Sequence, residues 1–287
     1  MSESEQLTFQ QLALSAPILQ ALNDVGYETP SPIQAETIPL LLSGRDVLGQ
    51  AQTGTGKTAA FALPALSNID VNQRDPQILV LAPTRELAIQ VAEAFHKYAK
   101  HIKGFNVLPI YGGQEHGGQI RSLKRGVHAV VGTPGRVMDH IRKGTLNLDG
   151  LKTLVLDEAD EMLRMGFIDD VEWILEQTPK TRQIALFSAT MPREISGLAN
   201  SILNNPIKVE VTPVSSTAEK ITQAVYFVEK SNKRLLLTHL LQDKTIERVL
   251  VFTTTKHGAD RVTKDLNKAG VYAEAIHGNK SQNARQR

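Results

Sequence analysis

The sequence predicts an α/β protein in which helices cover both faces of a doubly wound parallel sheet. Short apolar runs alternate with segments of helical periodicity through most of the chain, and this alternation is typical of successive βαβ units. The apolar runs are mostly continuous, which indicates strands that are buried on both faces. These observations predict a parallel sheet as the framework of residues 1–212.

Seven strands are predicted within this framework. In chain order their sequences are DVLGQ, ILVLA, VLPIY, AVVG, TLVL, IALF and KVEV, at residues 46–50, 78–82, 107–111, 129–132, 153–156, 184–187 and 208–211. Each run is short, apolar and bounded by polar or turn-forming residues, as expected of a buried strand. Helices are expected between the strands, for example at residues 59–66, 86–100 and 172–177.

A phosphate-binding loop follows the first predicted strand. Gly54 and Gly56 allow the backbone to curl so that successive N–H groups face one concavity, towards which the next helix directs its positive dipole end. Lys57 would reach the β- and γ-phosphates of a nucleotide, and Thr58 would ligate Mg²⁺. The nucleotide-binding residues predicted here are Ala51, Gln52, Thr53, Gly54, Thr55, Gly56, Lys57 and Thr58. Ala51 stands where the general pattern has glycine, and a flexible loop is the alternative for so short a motif.

Three carboxylates follow the fifth predicted strand. Asp157 would lie at the carboxyl edge of the sheet, where α/β folds bind ligands, and would hold Mg²⁺ partly through water, as Thr58 would. Glu158 would orient and activate the attacking water. Lys57, Asp157 and Glu158 are therefore the predicted catalytic residues. An acidic helix start is the alternative, because Asp and Glu favour the first helical turn.

With these motifs the sequence resembles the DEAD-box ATP-dependent RNA helicases of bacterial type, which are named for the four residues found here at 157–160. The other motifs of the family occur in the family order. They are a Q motif at residues 26–34 with Phe9 upstream, motif Ia at 83–87, a GG motif at 112–113, motif Ib at 133–136 and motif III at 188–190. The resemblance implies a P-loop NTPase of RecA-like fold that binds ATP and Mg²⁺.

The resemblance also implies a role for the Q motif. The planar amide of Gln34 suits a bidentate contact with the adenine edge, which would select ATP over GTP. Phe9 and Tyr27 would lie near the base, with Tyr27 standing where the family usually has Phe. A core position is the alternative for Phe9.

Motif III would connect the two ligands. Ser188 and Thr190 follow a strand that ends at the same sheet edge as Asp157, and their hydroxyls would hydrogen-bond Asp160. The resemblance implies that this contact couples nucleotide state to RNA state. A simple turn or cap is the alternative.

RNA-binding residues are implied where strands meet loops or helix starts. Hydroxyl, guanidinium and backbone N–H groups would hold phosphates and sugars without reading base sequence, and contacts to the 2′-hydroxyl would distinguish RNA from DNA. These residues are Pro83, Thr84, Arg85, Gly112, Gly113, Thr133, Pro134, Gly135 and Arg136, together with Gln282 and Arg285 nearer the C-terminus. A surface ion pair with Glu86 is the alternative for Arg85.

The predicted domains are an N-terminal RecA-like helicase domain at residues 1–212, a polar linker at 213–217 and an incomplete second RecA-like domain at 218–287. In the second domain, strands are predicted at residues 221–228, 248–253 and 272–276, and helices at 233–242 and 258–268. Residues 249–253 resemble motif IV, and Gln282 with Arg285 resembles the QxxR element of the family.

Two arginine motifs of the family, ARGxD and HRxGRxGR, do not occur in the sequence. In the family they supply arginines to the γ-phosphate, and an arginine finger is worth roughly 10³ to 10⁵ in turnover. We therefore expect this chain, truncated within the second domain, to bind ATP but hydrolyse it poorly alone. We also expect loose packing after residue 217, because a half-built sheet leaves edges uncovered.

The composition is compatible with this interpretation but would not identify the function by itself. The chain has 287 residues, a formal net charge of +2 and no cysteine, which excludes disulfides and thiolate metal sites. The eight histidines show no metal-ligand spacing. Neither a signal peptide nor an apolar run of membrane-spanning length is found, so the cytoplasm is the expected compartment and no membrane partner is expected.

The function implied is ATP-dependent binding and local unwinding or remodelling of RNA. One alternative is a nucleotide-gated RNA-binding fragment without unwinding activity. The sequence also leaves open a DNA helicase, an ATPase that acts without nucleic acid, and a metal-dependent hydrolase built on Asp157, Glu158 and Asp160. Protein partners in ribonucleoproteins or RNA decay are left open.

Overall fold

The seven predicted apolar runs form one parallel sheet. The computed structural model describes residues 7–211, 222–243 and 245–286. The strands are β1 (Val47–Gln50), β2 (Ile78–Leu81), β3 (Val107–Ile110), β4 (Ala129–Gly132), β5 (Thr153–Leu156), β6 (Gln183–Ser188) and β7 (Ile207–Glu210). Each bound lies within one residue of the prediction, and all pairings are parallel. The prediction of a doubly wound parallel sheet is confirmed.

The strand order divides the sheet into two halves. The order is β3-β4-β2-β5-β6-β1-β7, so the chain passes from β1 over the places of β6 and β5 to reach β2. As a result β5, β6 and β1 are neighbours in one half, whereas β2, β4 and β3 are neighbours in the other. Because the strands are parallel, all their carboxyl ends lie at one edge, where open α/β sheets bind ligands.

Helices cover both faces of this sheet. They are α1 (Ala16–Asp24), α2 (Pro32–Leu42), α3 (Lys57–Ser67), α4 (Arg85–Tyr98), α5 (His116–Arg125), α6 (Pro134–Arg142), α7 (Ala159–Arg164), α8 (Ile168–Glu176) and α9 (Arg193–Ile202), preceded by a short 3-10 helix at Phe9–Gln11. Helices α1 to α4 contribute to the hydrophobic cluster on one face. Helices α6 to α9 contribute to the cluster on the other.

Alternate residues of each central strand enter opposite clusters. Val80 of β2 packs on the face of α1 to α4, whereas Leu79 and Leu81 pack on the other face. The first cluster is centred on the fully buried rings of Phe61 and Phe187, whose centroids are 5.5 Å apart. Burial on both faces explains why the strands are continuously apolar.

The second part of the chain is a separate compact unit, and the division falls between Val214 and Ser215. Its described residues form helices α10 (Lys233–Leu240), α11 (Lys256–Lys268) and α12 (Gln282–Gln286) and no strand. Strands were predicted at residues 221–228, 248–253 and 272–276, and residue 221 lies outside the described residues. The predictions are wrong for the described residues, because a strand requires ladder hydrogen bonds with a neighbour and these segments make none. Assignment of residues 218–287 to a second RecA-like domain stays a prediction. The predicted linker at 213–217 lies outside the described residues.

Large apolar side chains of this unit face solvent. Phe227 is 97% exposed and Phe252 is 87% exposed. Leu266 of α11 is the buried hydrophobic residue among the described residues after 221. Within the described ranges, no helix has both the length and the apolar character needed to cross a membrane.

We predict that Gly49→Ala destabilises the first unit by about 1–3 kcal/mol, the usual result of overpacking a core. A Cβ at this β1 position would lie 2.6 Å from two ring carbons of Phe187, which is fully buried in the core. Urea unfolding monitored by fluorescence of Trp173 in α8, the single tryptophan of the sequence, measures the change.

Gly118→Ala is the matched control. Gly118 lies in α5, and nothing lies within 4 Å of the position that an added Cβ would take, so the same methyl group should stabilise the helix by about 0.5–1 kcal/mol. Equal unfolding midpoints for wild type and Gly49→Ala would show that β1 and β6 are packed less closely than described.

We also predict that chymotrypsin cleaves the second unit first. It cuts after aromatic residues, and Tyr226, Phe227, Phe252 and Tyr272 are exposed whereas Phe61, Phe95 and Phe187 are fully buried. Mass spectrometry of the early fragments should show cuts after residue 221 and an intact first unit. A second unit that resists cleavage would contradict loose packing after residue 221. Early cleavage after the buried rings would contradict the packed core of the first unit.

Candidate functional site

The loop between β1 and α3 has the conformation that a phosphate cradle needs. Gly54 and Gly56 have φ angles of 84° and 92°, a left-handed conformation that glycine adopts without strain. Gly56 is the N-cap of α3, so unpaired backbone N–H groups of the first helical turn face the loop. Ala51, the departure from the general pattern, is buried at the start of the loop. The predicted strand, loop and helix are all present.

Lys57 is folded back into this loop. Its side chain is buried, and Nζ donates a hydrogen bond to the backbone carbonyl of Ala51 at 2.8 Å. An ammonium group carries three donors, so two more are left for phosphate oxygens.

Asp157 follows β5 at the sheet edge and is only 2% exposed. Its Oδ1 atom is buried and has no hydrogen-bond partner among the described residues. Burial raises the pKa of the Asp157 carboxyl to about 7; Lys57 opposes this shift and Glu158 adds to it. Burying a carboxylate oxygen without a hydrogen-bond donor destabilises the fold, but such an oxygen is a suitable ligand for a cation.

Glu158 is the N-cap of α7 in a left-handed conformation, with φ of 53°. Such a conformation in a residue other than glycine is uncommon and concentrates at functional sites. Burial raises the pKa of the Glu158 carboxyl, and Lys57 opposes the shift. The side chain is half-buried at the same cleft as Asp157.

These residues line one cleft of about 370 Å³. Thr53, Gly54, Gly56, Lys57 and Thr58 line it together with Tyr27, Gln34, Asp157 and Glu158. Sequence reasoning missed its far wall, which consists of Leu87, Gln90, Val91, Ala94 and Tyr98 on one side of α4. Their spacing of three and four residues is the available signal, because residues so spaced share one helix face.

Gln34 links the Q motif to the phosphate loop. Its Oε1 accepts from the Ser31 backbone N–H at 2.9 Å and its Nε2 donates to the Gly56 carbonyl at 3.1 Å. The Ser31 hydroxyl donates to the Thr55 carbonyl at 2.7 Å. Each end of the Gln34 amide keeps one unused hydrogen-bonding position, so it can support the loop and still present a polar edge to the cleft.

Tyr27 and Phe9 occupy different environments. The Tyr27 ring is 39% exposed and lines the cleft, whereas Phe9 is 3% exposed and belongs to the core. The two rings are nearly parallel with centroids 6.5 Å apart. Phe9 therefore takes the core position that the sequence left open, and it supports Tyr27 from behind.

Asp160, Ser188 and Thr190 form a connected group. Asp160 Oδ2 accepts from the Thr190 hydroxyl at 2.6 Å and from the Thr190 backbone N–H at 3.0 Å. Ser188 Oγ accepts from the Asp160 backbone N–H at 3.3 Å and donates to the Thr190 carbonyl at 2.7 Å. Burial alone would raise the pKa of Asp160, but the hydrogen bonds from Thr190 bring it below its ordinary value.

The predicted RNA-contact residues of the first unit meet at the ends of β2, β4 and β3. Thr84 caps α4 by accepting from the Leu87 backbone N–H at 3.2 Å, and Thr133 is the N-cap of α6. The Arg85 guanidinium packs on the loop after β3, where a Cβ at Gly113 would lie 2.4 Å from its Nη1. Gly113 has φ of 84°, a left-handed conformation that glycine adopts without strain.

Arg136 lies on the other side of the same loop. Its Nη1 donates to the Gln114 carbonyl at 3.2 Å and to Gln119 Oε1 at 3.1 Å. Pro134 is at the first turn of α6, and nothing lies within 4 Å of the Cβ that Gly135 lacks. Gln282 and Arg285, the remaining predicted RNA contacts, lie on α12 of the second unit.

Backbone hydrogen bonds continue the strand ladders beyond the strand ends and connect these groups. The Asp157 N–H donates to the Leu81 carbonyl at 3.0 Å, and the Ala82 N–H donates to the Gly132 carbonyl at 2.9 Å. Between β1 and β6, the Ala51 N–H donates to the Ser188 carbonyl at 3.1 Å. The phosphate loop and the predicted RNA contacts, which we call the RNA edge, are therefore parts of one hydrogen-bonded sheet edge.

Comparison with known proteins places the chain among helicases. Residues 31–198 match the family model described as DEAD/DEAH box helicase. The chain is 51% identical to ATP-dependent RNA helicase DeaD of Escherichia coli K12, over all of this chain and 45% of that relative. It is 49% identical to ATP-dependent RNA helicase DeaD of Mycobacterium tuberculosis, over 98% of this chain and 49% of that relative.

A solved structure agrees. The crystal structure of a DEAD box protein from the hyperthermophile Methanococcus jannaschii is 42% identical, with a TM-score of 0.69 over 97% of this chain and 75% of that one. The chain spans about half the length of the helicases it matches. Because its sequence matches the family model, is about half identical to these helicases and folds into a RecA-like sheet, this chain belongs to the DEAD/DEAH box helicase family.

Proposed function

We propose that this chain binds ATP with Mg²⁺ and the backbone of RNA at one sheet edge, and that the complete protein couples ATP hydrolysis to local RNA unwinding or remodelling. The observation that carries the proposal is the placement of a phosphate cradle and a buried, unpartnered carboxylate oxygen in one half of the edge, beside a row of helix starts and guanidinium groups in the other. The family makes nucleotide and RNA the matching ligands.

ATP would lie with its phosphates in the loop at the start of α3. The backbone N–H groups there and the two free donors of Lys57 supply positive potential. The adenine would lie towards Tyr27 and Gln34, whose amide keeps one donor and one acceptor position. Tyr27 supplies an aromatic face for stacking.

The residues present fit a magnesium ion. Asp157 Oδ1 lacks a donor, and Thr58 lines the same cleft. Carboxylate and hydroxyl oxygens with water are the ligands that Mg²⁺ prefers. When bound, the ion would offset phosphate charge. A cation beside Asp157 would also favour the ionised carboxylate, which burial disfavours.

Glu158 would act on the water that attacks the γ-phosphate. Its raised pKa makes it a stronger base than an exposed carboxylate, and its half-buried position leaves it accessible from the cleft. The residue Lys57 would hold the phosphates while Glu158 orients water.

RNA would lie along the ends of β2, β4 and β3. Arg85 and Arg136 flank the loop at residues 112–114, and hydroxyl and N–H groups at Thr84, Thr133 and Gly135 lie beside them. Such groups contact phosphates and sugars, so binding should not depend on base sequence. RNA and ATP are both available in the cytoplasm, where we place the protein.

A nucleotide-gated RNA-binding role without unwinding is the second candidate. The groups described at the sheet edge of the first unit would account for nucleotide and RNA binding, which is all that this role requires. A strand-displacement assay with a short RNA duplex distinguishes the two, since only a helicase separates the strands in an ATP-dependent way.

We predict that Lys57→Ala abolishes ATP binding, whereas Glu158→Gln keeps binding and loses hydrolysis by about 10²-fold or more, the usual contribution of a general base. Binding is measured with a fluorescent ATP analogue, and hydrolysis with and without single-stranded RNA. Lys103→Ala, which removes an exposed lysine, is the control and should match wild type. An active Lys57→Ala variant would refute the assignment of the phosphate loop.

We predict that, without Mg²⁺, Asp157 lowers stability as the pH rises. Its pKa of about 7 in the folded chain exceeds the ordinary 3.8, so the folded state holds a proton that the unfolded state has lost. The contribution of this group to the free energy of unfolding is therefore complete below pH 4 and is lost as the pH rises to 7. The loss is about 1.4 kcal/mol for each unit by which the two pKa values differ. Trp173 melting curves from pH 5 to 8 measure it.

Two variants separate this contribution from other titrations. Asp157→Asn should remove the pH dependence assigned to the group, and also the stabilisation that added Mg²⁺ gives wild type at pH 8. Asp160→Asn is the matched control with the opposite sign, because the pKa of Asp160 is lowered and its charge stabilises the fold above pH 4. A Mg²⁺ response that survives in Asp157→Asn would place the metal elsewhere.

A further inference from the structure

A buried amide on α5 connects the two sides of the proposed RNA edge. Gln119 is 5% exposed and lies behind the loop at residues 111–114. Its Oε1 accepts from Arg136 Nη1 at 3.1 Å and contacts His140 Nε2 at 2.9 Å, while its Nε2 donates to the Tyr111 carbonyl at 3.2 Å. Tyr111 immediately precedes Gly112 and Gly113. One side chain therefore contacts both the arginine of α6 and the loop after β3.

The orientation of this amide is fixed by its neighbours. Arg136 can only donate, so the oxygen of Gln119 must face it, and the NH₂ group must then face the Tyr111 carbonyl. His140 is fully buried, and burial lowers the pKa of its imidazole to about 4, with His116 and Arg136 adding to the effect. The neutral ring can donate from Nε2 to Gln119, and its Nδ1 lies 2.8 Å from Thr145 Oγ1.

Arg136 depends on this arrangement for its position. Its guanidinium makes hydrogen bonds to Gln114 and Gln119 and a long contact of 3.9 Å with Asp139 on its own helix. Without the Gln119 oxygen, the Gln114 carbonyl would be its remaining hydrogen-bond acceptor among the described residues, and that carbonyl belongs to the loop that Gln119 also holds. Gln119 thus acts on the arginine and on the loop together.

We propose that Gln119 is a positioning residue for RNA binding: its amide fixes the Arg136 guanidinium and the Gly112–Gly113 turn at the spacing that contacts the RNA backbone. The inference rests on the proposed RNA edge. Its physical basis is preorganisation, because a guanidinium already held in place loses less conformational freedom when it binds a phosphate. Gln119 itself lies beneath the surface and makes no contact with RNA.

The test is RNA affinity of Gln119→Leu, measured by fluorescence anisotropy with a labelled oligouridine. We expect about tenfold weaker RNA binding, or about 1.4 kcal/mol, with unchanged affinity for a fluorescent ATP analogue. Melting curves from Trp173 define the temperature at which each variant is folded. If Gln119→Leu does not fold, Gln119→Asn replaces it, with the same expectation because its amide is too short to reach both sides.

Gln77→Leu is the matched control. Gln77 is 1% exposed at the amino end of β2, and its amide likewise makes three bonds, to the Asp70 N–H, the Asp70 carbonyl and the Lys152 ammonium. The same substitution there should lower stability and leave RNA affinity unchanged. An equal loss of RNA affinity in both variants would reduce Gln119 to a structural role and overturn the proposal.

A double-mutant cycle with Arg136→Ala isolates the mechanism. If Gln119 acts largely through Arg136, its substitution in the Arg136→Ala background should cost less than about threefold. A full tenfold loss in that background, or wild-type affinity of Gln119→Leu, overturns the inference while leaving the RNA edge in place. Wild-type affinity of Arg136→Ala would instead overturn the RNA edge itself, and the inference with it.

Discussion

The parallel direction of all seven strands is the constraint on which the rest of the structure depends. It brings every strand-to-helix turn of the first unit to one edge, and backbone hydrogen bonds beyond the strand ends hold those turns in register. The phosphate loop follows β1, the acidic group follows β5, and the helix starts proposed for RNA follow β2 and β4. Strand direction alone therefore brings residues that are far apart in the sequence to one surface.

The two halves of this edge differ in how completely their charged and polar side chains are paired within the protein. Around the cleft, Asp157 is buried with one oxygen unpartnered and Lys57 is docked on a carbonyl, so both groups are incompletely satisfied within the protein. Around the loop at residues 111–114, by contrast, Arg136 and Gln119 are bonded to protein partners. A charged ligand and a metal ion would give these groups of the first half the partners that they lack, which favours binding. The second half presents groups already fixed in position.

The seven strands and the phosphate loop could be predicted from the sequence, because continuous apolar runs and the phosphate-loop motif are local signals. The cleft wall on α4 was missed because nothing local distinguishes Gln90 or Tyr98 from other helical residues. The strands predicted around Phe227 and Phe252 were wrong because apolar composition indicates burial, whereas a strand also needs a neighbour that pairs with it. Gln34 shows a third case: the spacing from Ser31 is that of a capping box, and the structure shows that this cap also supports the phosphate loop.

A rigid edge cannot by itself carry a signal between nucleotide and RNA. The ladder that joins Asp157 to Leu81 and Ala82 to Gly132 is continuous backbone structure with closely packed faces, and such structure does not deform gradually. The side-chain group at Asp160 is different, because its bonds to Thr190 can break without disturbing any strand pairing. Glu158 and Asp160 are separated by one residue at the start of α7, so a change at the γ-phosphate that moved Glu158 would also act on Asp160. We therefore propose that nucleotide state is transmitted through the hydrogen bonds of Asp160 to Thr190, while the sheet stays fixed.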